Sequence, residues 1–309
     1  MNSVSISEYG DPSTLKLTES AKPVPAASEL LIQVKAVGVN PLDLKIRAGY
    51  LKGTMPKAMP AILGWELAGV VAQLGAQVTN FNVGDEVFAL LPASGTGAYA
   101  EFVVVPASIV AKKPASLDFA TAGGIGMIAT TAYTLINKEA KVHAGQHVLI
   151  HGAGGGVGSF AVQMAKAAGA SFVIANGSAA DKDRVMALGA DEYISYEEQK
   201  FDEMGPKADV IIDTVGGDTL ARSYGAVKSG GTLLTIVMPV DADKAKAAGI
   251  HAKFVFTQPD AQALATIADQ LDSGALKAQP VDSMPLADAA KAHEAMQKGA
   301  AKKKIVLTP

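Results

Sequence analysis

The sequence contains no cysteine in its 309 residues. Disulfides, thiolate ligands for zinc and a cysteine nucleophile are therefore excluded. An excess of one charge is also missing, because 27 Lys and Arg residues stand against 30 Asp and Glu residues, for a net charge of −3. Charges of both signs are dispersed, so no broad basic face for nucleic acid or anionic lipid is indicated. We therefore expect a small-molecule partner, with neither nucleic acid nor membrane as a ligand.

Long apolar runs are absent as well. No stretch approaches the ~18 residues that a membrane span needs, and the opening MNSVSISEYG lacks the basic and then apolar layout of a signal peptide. We expect a cytoplasmic protein. The length suggests two domains with enough core to fold without cross-links.

Glycine is concentrated after one short apolar segment. Val148-Leu149-Ile150 is typical of a buried strand, and apolar residues from Ala161 onward recur at helical spacing. The glycines between them form an even G-x-x-G-x-x-G pattern, with Val157 where the usual G-x-G-x-x-G fingerprint needs its third glycine. Such a turn lets backbone N–H groups approach a diphosphate, whereas the alternative is a flexible hairpin loop. The flanking signals favour a dinucleotide site formed by Gly152, Gly155, Gly156, Val157 and Gly158.

The pattern of predicted elements changes near residue 117. Over residues 4–114, short alternating strands broken by Gly, Pro and Asn predict a compact β-rich, barrel-like domain. After a helix-like stretch at 120–137, strands and helices alternate as in a doubly wound parallel sheet, with a last strand at 254–256. A helix after Pro259, another around 287–296 and a strand at 304–307 are expected to return to the first domain. The predicted fold class is α/β, with domain ranges 1–118, 119–258 and 259–309.

Several motifs, in a fixed order along the chain, carry a family resemblance. They are AVGVNPLDLKIRAGY, PAILGWELAGVVAQLG, FNVGDEVFAL, GAYAEFVVVP, HVLIHGAGGGVG, LGAD, VIIDTVGG and the closing KKKIVLTP. With them the chain resembles, end to end, the zinc-free branch of the medium-chain dehydrogenase/reductase superfamily, the quinone oxidoreductases related to zeta-crystallin. The resemblance implies a GroES-like catalytic domain built from both chain ends, a Rossmann domain between them, and NADPH bound in the cleft. We also expect a homodimer.

Zinc-dependent members of this superfamily hold a catalytic metal with cysteine and histidine. Asn40 stands at the usual first ligand position here, and Trp65 stands where a histidine is expected. His143 and His147 are four residues apart, but Ala144-Gly145 marks a turn between them, so a helical two-histidine site cannot form. We therefore predict that no metal is bound.

The choice of cofactor depends on the end of the second strand of the parallel sheet. An NAD site normally places Asp or Glu there for the adenosine ribose, yet residues 152–180 contain no acidic residue. Ser178 and Lys182, and less clearly Arg184, are therefore predicted to bind a 2′-phosphate. Ser178 could also cap a helix with Asp181, and Lys182 could be an ordinary solvated residue. The resemblance adds Tyr196 near the phosphorylated ribose, with core packing as its alternative.

The nicotinamide side of the predicted site follows from the resemblance alone. It implies contacts from Asn40, Thr130, Val215, Gly216, Phe254 and Phe256. The alternatives are a helix cap before Pro41 for Asn40, a bond to its own helix backbone for Thr130, and a strand-ending turn for Gly216. Tyr50 could donate its phenol to the substrate oxygen, or be a surface tyrosine.

These residues predict an NADPH-dependent oxidoreductase that needs no zinc. Hydride would pass from the nicotinamide to a quinone or an α,β-unsaturated carbonyl, with Asn40 and Tyr50 as the catalytic residues. Two alternatives stay open at this point. One is a reductase for enoyl-thioester or alkenal double bonds, and the other is a non-catalytic NADPH-binding protein, either crystallin-like or a redox sensor.

Overall fold

A computed structural model describes residues 1–204, 207–301 and 303–309 of the chain. Gly205 and Pro206 of the predicted dinucleotide domain, and Lys302 of the closing KKKIVLTP motif, lie outside the described residues. The strands are β1 Asn2–Ile6, β2 Lys16–Glu19, β3 Glu29–Gly38, β4 Ala61–Ile62, β5 Glu66–Leu74, β6 Glu86–Leu90, β7 Phe102–Pro106, β8 Val110–Lys112, β9 His147–His151, β10 Phe172–Gly177, β11 Glu192–Ser195, β12 Ala208–Asp213, β13 Val227–Thr235, β14 His251–Phe254, β15 Val281–Pro285 and β16 Lys304–Thr308. The α-helices are α1 Pro41–Arg47, α2 Phe119–Gly123, α3 Gly126–Tyr133, α4 Gly156–Ala167, α5 Lys182–Met186, α6 Gly217–Ser223, α7 Ala242–Ala248, α8 Ala261–Asp272 and α9 Ala289–Gln297.

The first compact unit contains residues 1–130, 258–274 and 278–309. Its main sheet has the order β15-β16-β3-β5-β6-β8, with β7 also paired to β3, and a second sheet has the order β2-β1-β4. Apolar residues of β1 and of the main-sheet strands enter one core, as the half-buried pattern of the sequence predicts, whereas β2 is exposed along its length. The C-terminal strand β16 pairs antiparallel with β3, where Val306 lies opposite Gly38. This pairing brings the end of the chain beside the residues that precede α1.

The second compact unit contains residues 131–257 and 275–277. Its sheet has six parallel strands in the order β11-β10-β9-β12-β13-β14. Strand β9 therefore lies between β10 and β12, at the point where the strand order reverses and where an open α/β sheet binds its ligand. The predicted α/β class, with a β-rich domain and a doubly wound sheet, is confirmed.

Local details differ from the sequence prediction. The stretch at 120–137 is interrupted, because α2 ends at Gly123 and α3 begins at Gly126. A Cβ atom on Gly123 would lie 2.6 Å from Cβ of Ala36, so α2 packs directly on β3 and the first unit extends past residue 118 to residue 130. The last parallel strand is β14 and not 254–256, and α7 was not predicted. Three of the four β14 residues are exposed, so this strand carries little apolar signal.

Helix length bears on the membrane question. In the described part of the chain, no helix combines the length and the apolar character that crossing a bilayer would require.

Candidate functional site

The turn between β9 and α4 is built by glycines with distinct tasks. Gly152 has a φ of 68°, a left-handed conformation that favours glycine. A Cβ atom on Gly158 would lie 2.7 Å from Cα of Ala153 and would overlap the carbonyl oxygen of Gly152, so α4 can approach the turn only without a side chain there. Gly155 is the N-cap of α4. The first N–H groups of a helix have no partner within the helix, and the five residues predicted to bind diphosphate all lie at this anion-binding end.

The loop after β12 is fixed by a buried carboxylate. Asp213 accepts hydrogen bonds from the backbone N–H groups of Val215 at 3.0 Å and Gly216 at 2.9 Å, and from the hydroxyl of Thr235 at 2.7 Å. Gly216 has a φ of 76°, and a Cβ atom there would lie 2.7 Å from the side chain of Val237. The predicted contact residues Val215 and Gly216 thus lie in a rigid turn at the carboxyl end of the sheet, with Val215 exposed.

A buried histidine lies directly before the glycine turn. The Nδ1 atom of His151 is 3.1 Å from Oδ1 of Asn176, and its Nε2 atom is 3.1 Å from the hydroxyl of Ser223. Asn176 donates its amide N–H to the carbonyl of Ile194 at 3.0 Å, which directs Oδ1 toward the imidazole and makes Nδ1 the donor. Burial lowers the pKa of His151. This neutral network, which joins β9 to β10 and α6, was missed by sequence reasoning because its members are far apart in the chain.

The residues after β10 are arranged around a carboxylate. Ser178 donates its hydroxyl to Oδ2 of Asp181 at 2.8 Å, and Arg184 forms an ion pair with Oδ1 of the same residue. Arg184 also donates to the carbonyl of Gly154 at 2.8 Å, so it connects α5 to the glycine turn. Lys182, the other predicted phosphate ligand, is exposed at the start of α5. The predicted pairing of Ser178 with Asp181 is present, but it joins two side chains and does not cap the helix backbone.

Two tyrosines flank this position. Tyr193 donates its phenol to the carbonyl of Ser178 at 2.6 Å, and burial raises the pKa of Tyr193 to about 12. Tyr196, the tyrosine expected near the ribose, has an exposed side chain, and its backbone N–H donates to the carbonyl of Gly177 at 3.1 Å. The ring of Tyr196 is therefore not part of the core. Its contact with a cofactor stays a prediction.

In the first unit, Asn40 immediately precedes α1 and is only 1% exposed. Its amide Nδ2 donates to Oε1 of Glu66 at 2.7 Å, and its Oδ1 accepts from the ammonium of Lys304. Its backbone N–H donates to the carboxylate of Asp43 at 2.8 Å. The amide is thus engaged on both sides by charged groups, and its predicted catalytic role stays a prediction.

Glu66 and Lys304 form the centre of a buried cluster. The ammonium of Lys304 lies 2.7 Å from Oε1 of Glu66, and Met127 donates its backbone N–H to Oε2 at 2.7 Å. A Cβ atom on Gly38 would overlap the Glu66 carboxylate, so the glycine at the end of β3 leaves the space that the carboxylate fills. Sequence reasoning missed both charged residues, because the pairing of β3 with β5 brings Glu66 to Asn40 and the pairing of β16 with β3 brings Lys304 there.

Asp43 and Trp65 are buried near the start of α1, and Lys57, which contacts Trp65, is partly buried. Asp43 accepts the backbone N–H of Gly64 at 2.9 Å, and burial raises the pKa of Asp43 to about 7. Trp65 is fully buried, with the ammonium of Lys57 at 4.1 Å from its ring centre. Burial lowers the pKa of Lys57 to about 8. Lys57 also donates to the carbonyl of Gly95 at 3.0 Å.

The remaining predicted site residues differ in exposure. Tyr50 follows α1 and is 82% exposed, while Thr130 is fully buried on α3. Phe254 ends β14, and Phe254 and Phe256 both keep exposed rings. Asn40 and Tyr50 therefore have opposite surroundings, one enclosed by charged partners and the other in solvent. Among the described residues, no group of three or more His, Asp or Glu side chains has the arrangement of a metal site.

Comparisons with known proteins agree with this architecture. A family model for the alcohol dehydrogenase GroES-like domain matches residues 26–115, and a model for zinc-binding dehydrogenase matches residues 188–307. The 2-methylene-furan-3-one reductase of Solanum lycopersicum is 36% identical over 76% of this chain, which spans 62% of that relative's length. Quinone oxidoreductase 1 of Escherichia coli is 30% identical over 98% of each chain. The solved structure of Escherichia coli quinone oxidoreductase complexed with NADPH has a TM-score of 0.89 at 28% identity and covers 100% of both chains.

Proposed function

Because the chain is an NAD(P)-dependent oxidoreductase that belongs to the zinc-free, quinone oxidoreductase branch of the medium-chain dehydrogenase/reductase superfamily, we propose that NADPH is its cofactor and that a quinone or an α,β-unsaturated carbonyl accepts the hydride. The observation that carries this proposal is the glycine turn at the carboxyl end of β9, whose geometry suits a dinucleotide diphosphate. The relatives named above act, by their names, on electron-poor carbonyl compounds of both kinds.

The donor set near Asn40 does not fit zinc, which supports a zinc-independent reaction. The chain has no cysteine, and Trp65 has no lone pair with which to bind a metal. The carboxylate of Glu66 is already paired with the ammonium of Lys304. The same ammonium donates to the side-chain oxygen Oδ1 of Asn40. A second cation at this position would meet a buried positive charge. The proposed reaction therefore contains no metal-dependent step.

The residues of each unit have separate tasks in the proposed reaction. When it is bound, the reduced nicotinamide supplies the hydride. The glycine turn would hold the diphosphate, and the turn fixed by Asp213 would present Val215 and Gly216 to the nicotinamide end. Tyr50 would donate its phenol to the acceptor oxygen, where negative charge develops as hydride arrives. The lysine–glutamate pair would keep the Asn40 amide in one orientation.

Assembly and location are further parts of the proposal. The edge strand β14 has one free side in the described sheet, and most of its residues are exposed. An exposed edge can pair with the same edge of a second copy, which supports a homodimer. We propose that this dimer acts in the cytoplasm.

A screen of NADPH oxidation tests the proposal. The purified protein would be assayed with quinones, alkenals and enoyl thioesters, before and after dialysis against a strong chelator. Consumption of NADPH with a quinone or an enone, unchanged by chelation, is the expected result. Absence of turnover with every electron-poor acceptor would leave only a cofactor-binding role. Activity that is lost on chelation and restored by zinc would contradict the assignment to a metal-independent reaction.

A further inference from the structure

An internal carboxylate lies against the glycine turn. A Cβ atom on Gly154 would overlap Oδ2 of Asp181, so the carboxylate lies directly against the turn. The same carboxylate takes the hydroxyl of Ser178 at 2.8 Å and the guanidinium of Arg184. These are two of the three residues that the sequence assigns to the 2′-phosphate of NADPH.

Arg184 has further capacity to bind an anion. Its Nη2 atom serves both Asp181 and the carbonyl of Gly154, whereas its Nη1 atom is buried and has no hydrogen-bond partner within the described residues. Buried donors in proteins are nearly always paired, so the Nη1 donor of Arg184 is available to a further acceptor, either water or an anion. The side chains of Arg184 and Asp181 are 38% and 33% exposed, which leaves both open to a ligand.

In a dinucleotide-binding sheet, the adenosine ribose meets the residues that follow the second strand. Here those residues are Ser178, Asp181 and Arg184. A phosphate carries about −1.5 to −2 charges at neutral pH, so it is repelled by a carboxylate and competes with that carboxylate for the same two donors. A ribose hydroxyl carries no charge and can donate to the carboxylate. Asp181 therefore acts in opposite directions on the two cofactors.

We propose that Asp181 is a specificity-determining residue: it occupies the donors of the 2′-phosphate subsite and so limits the preference of this chain for NADPH over NADH. The inference rests on the proposed function only in that a dinucleotide binds at the glycine turn. In this proposal Asp181 reduces the discrimination between NADPH and NADH. Arg184, more than the exposed Lys182, provides that discrimination by binding the 2′-phosphate.

Calorimetric titration of the 309-residue chain with adenosine 2′,5′-bisphosphate and with AMP separates the phosphate from the rest of the nucleotide. Asp181→Asn is expected to bind the bisphosphate about 10-fold more tightly, as the loss of one nearby like charge predicts, and AMP no more tightly than the parent, because an amide is a weaker acceptor for the ribose hydroxyl than a carboxylate. Asp183→Asn is the matched control, because Asp183 is exposed on α5, two residues after Asp181, and its substitution removes the same charge. The control is expected to change neither affinity by more than about 2-fold, since exposed charges are screened.

A second variant shows whether a change in affinity comes from the phosphate subsite or from a general loss of structure. Arg184→Gln is expected to weaken bisphosphate binding by about 10-fold or more and to leave AMP unaffected. Bisphosphate affinity that is unchanged or weaker in Asp181→Asn, or equal changes in Asp181→Asn and Asp183→Asn, would overturn the inference, as would a parent protein that binds neither nucleotide. The titration needs no acceptor. A failed NADPH-oxidation screen would therefore contradict the reductase assignment without touching this result.

Discussion

The ammonium of Lys304 lies 2.7 Å from the carboxylate of Glu66, and their side chains are only 11% and 0% exposed. Removal of one member of such a pair leaves a buried charge without its counterion, which costs about 3–5 kcal/mol. Lys304→Met should therefore lower the free energy of unfolding by about that amount, as measured by denaturant titration. The substitution keeps most of the side-chain volume, so lost charge dominates the effect.

The neighbouring lysine provides the control for this variant. Lys303 pairs with Asp282 at 3.2 Å, but both side chains are about half exposed. Surface ion pairs contribute about 0–1 kcal/mol, so Lys303→Met should change stability little. Similar losses for the two variants would show that the buried cluster is not the source of the effect.

A second buried network predicts how stability depends on pH. Arg47 donates its Nε–H to Nδ1 of His293 at 3.2 Å, and Nε2 of His293 lies 3.0 Å from the phenol of Tyr99. Because Nδ1 must accept, the neutral imidazole carries its proton on Nε2. Burial, reinforced by the nearby Arg47 charge, lowers the pKa of His293 to about 3. The folded protein therefore resists protonation that the unfolded chain accepts near its ordinary value.

Proton linkage determines whether stability rises or falls with pH. Between about pH 6.5 and 3 the unfolded state binds more protons at this histidine, so its contribution to stability is complete above that range and falls on acidification. We expect the parent protein to lose about 2 kcal/mol more than His293→Gln between pH 7 and pH 5. Asp43, whose raised pKa favours the folded state at lower pH, is present in both proteins and cancels in the difference. Equal slopes of stability against pH would contradict the assignment.

Gly158 gives a test of the dinucleotide turn. Gly158→Ala places a methyl group against the backbone of Gly152 and Ala153, so the turn must open or α4 must move. We expect nucleotide affinity to fall by at least about 10-fold and stability by about 1–3 kcal/mol, the usual cost of overpacking. Gly225→Ala in the same unit is the control, because its Cβ atom would meet nothing closer than the carbonyl of Arg222 at 3.9 Å. Unaltered affinity in Gly158→Ala would show that the turn does not contact the nucleotide.

The local part of this architecture could be predicted from the sequence. The glycine turn, the alternation of strands and helices, and the position of Asn40 before Pro41 each depend on neighbours within a few residues. The charged cluster could not be predicted in this way. Asn40 is 26 residues from Glu66 and 264 residues from Lys304. The pairing of β3 with β5 brings Glu66 to it, and the pairing of β16 with β3 brings Lys304.

The role of Asp181 in the ribose subsite could not be predicted either, because it depends on a contact between separate loops. In the sequence, Asp181 is a residue that could complete a helix cap with Ser178, and its approach to Gly154 from another loop is invisible. The position of the last parallel strand was predicted wrongly for a different reason: the strand is β14, not residues 254–256. Strand β14, His-Ala-Lys-Phe, contains two polar residues and is mostly exposed, whereas residues 254–256, Phe-Val-Phe, form a continuous apolar run.

Tyr50 is proposed to polarise the acceptor. Because its side chain is exposed, a substitution there can change the reaction rate without changing the stability of the fold. The side chain is 82% exposed, so removal of its hydroxyl in Tyr50→Phe should leave the free energy of unfolding unchanged within about 0.5 kcal/mol. Asn40→Ala differs, because it also removes an acceptor of Lys304 and a donor to Glu66. That variant should lose stability together with rate. Tyr50→Phe is therefore the cleaner measure of the chemical step.

Hydride that reaches the acceptor carbon pushes negative charge onto the acceptor oxygen, and a donor aimed there stabilises the transition state more than the ground state. Tyr50→Phe should accordingly lower the turnover number by ~3- to ~100-fold and leave NADPH dissociation almost unchanged. Single-turnover oxidation of NADPH at saturating acceptor measures this rate directly, with the NADPH dissociation constant as the internal control. A parent-like rate would mean that stacking and apolar contact hold the flat quinone ring, in which case the phenol has no part in the chemical step.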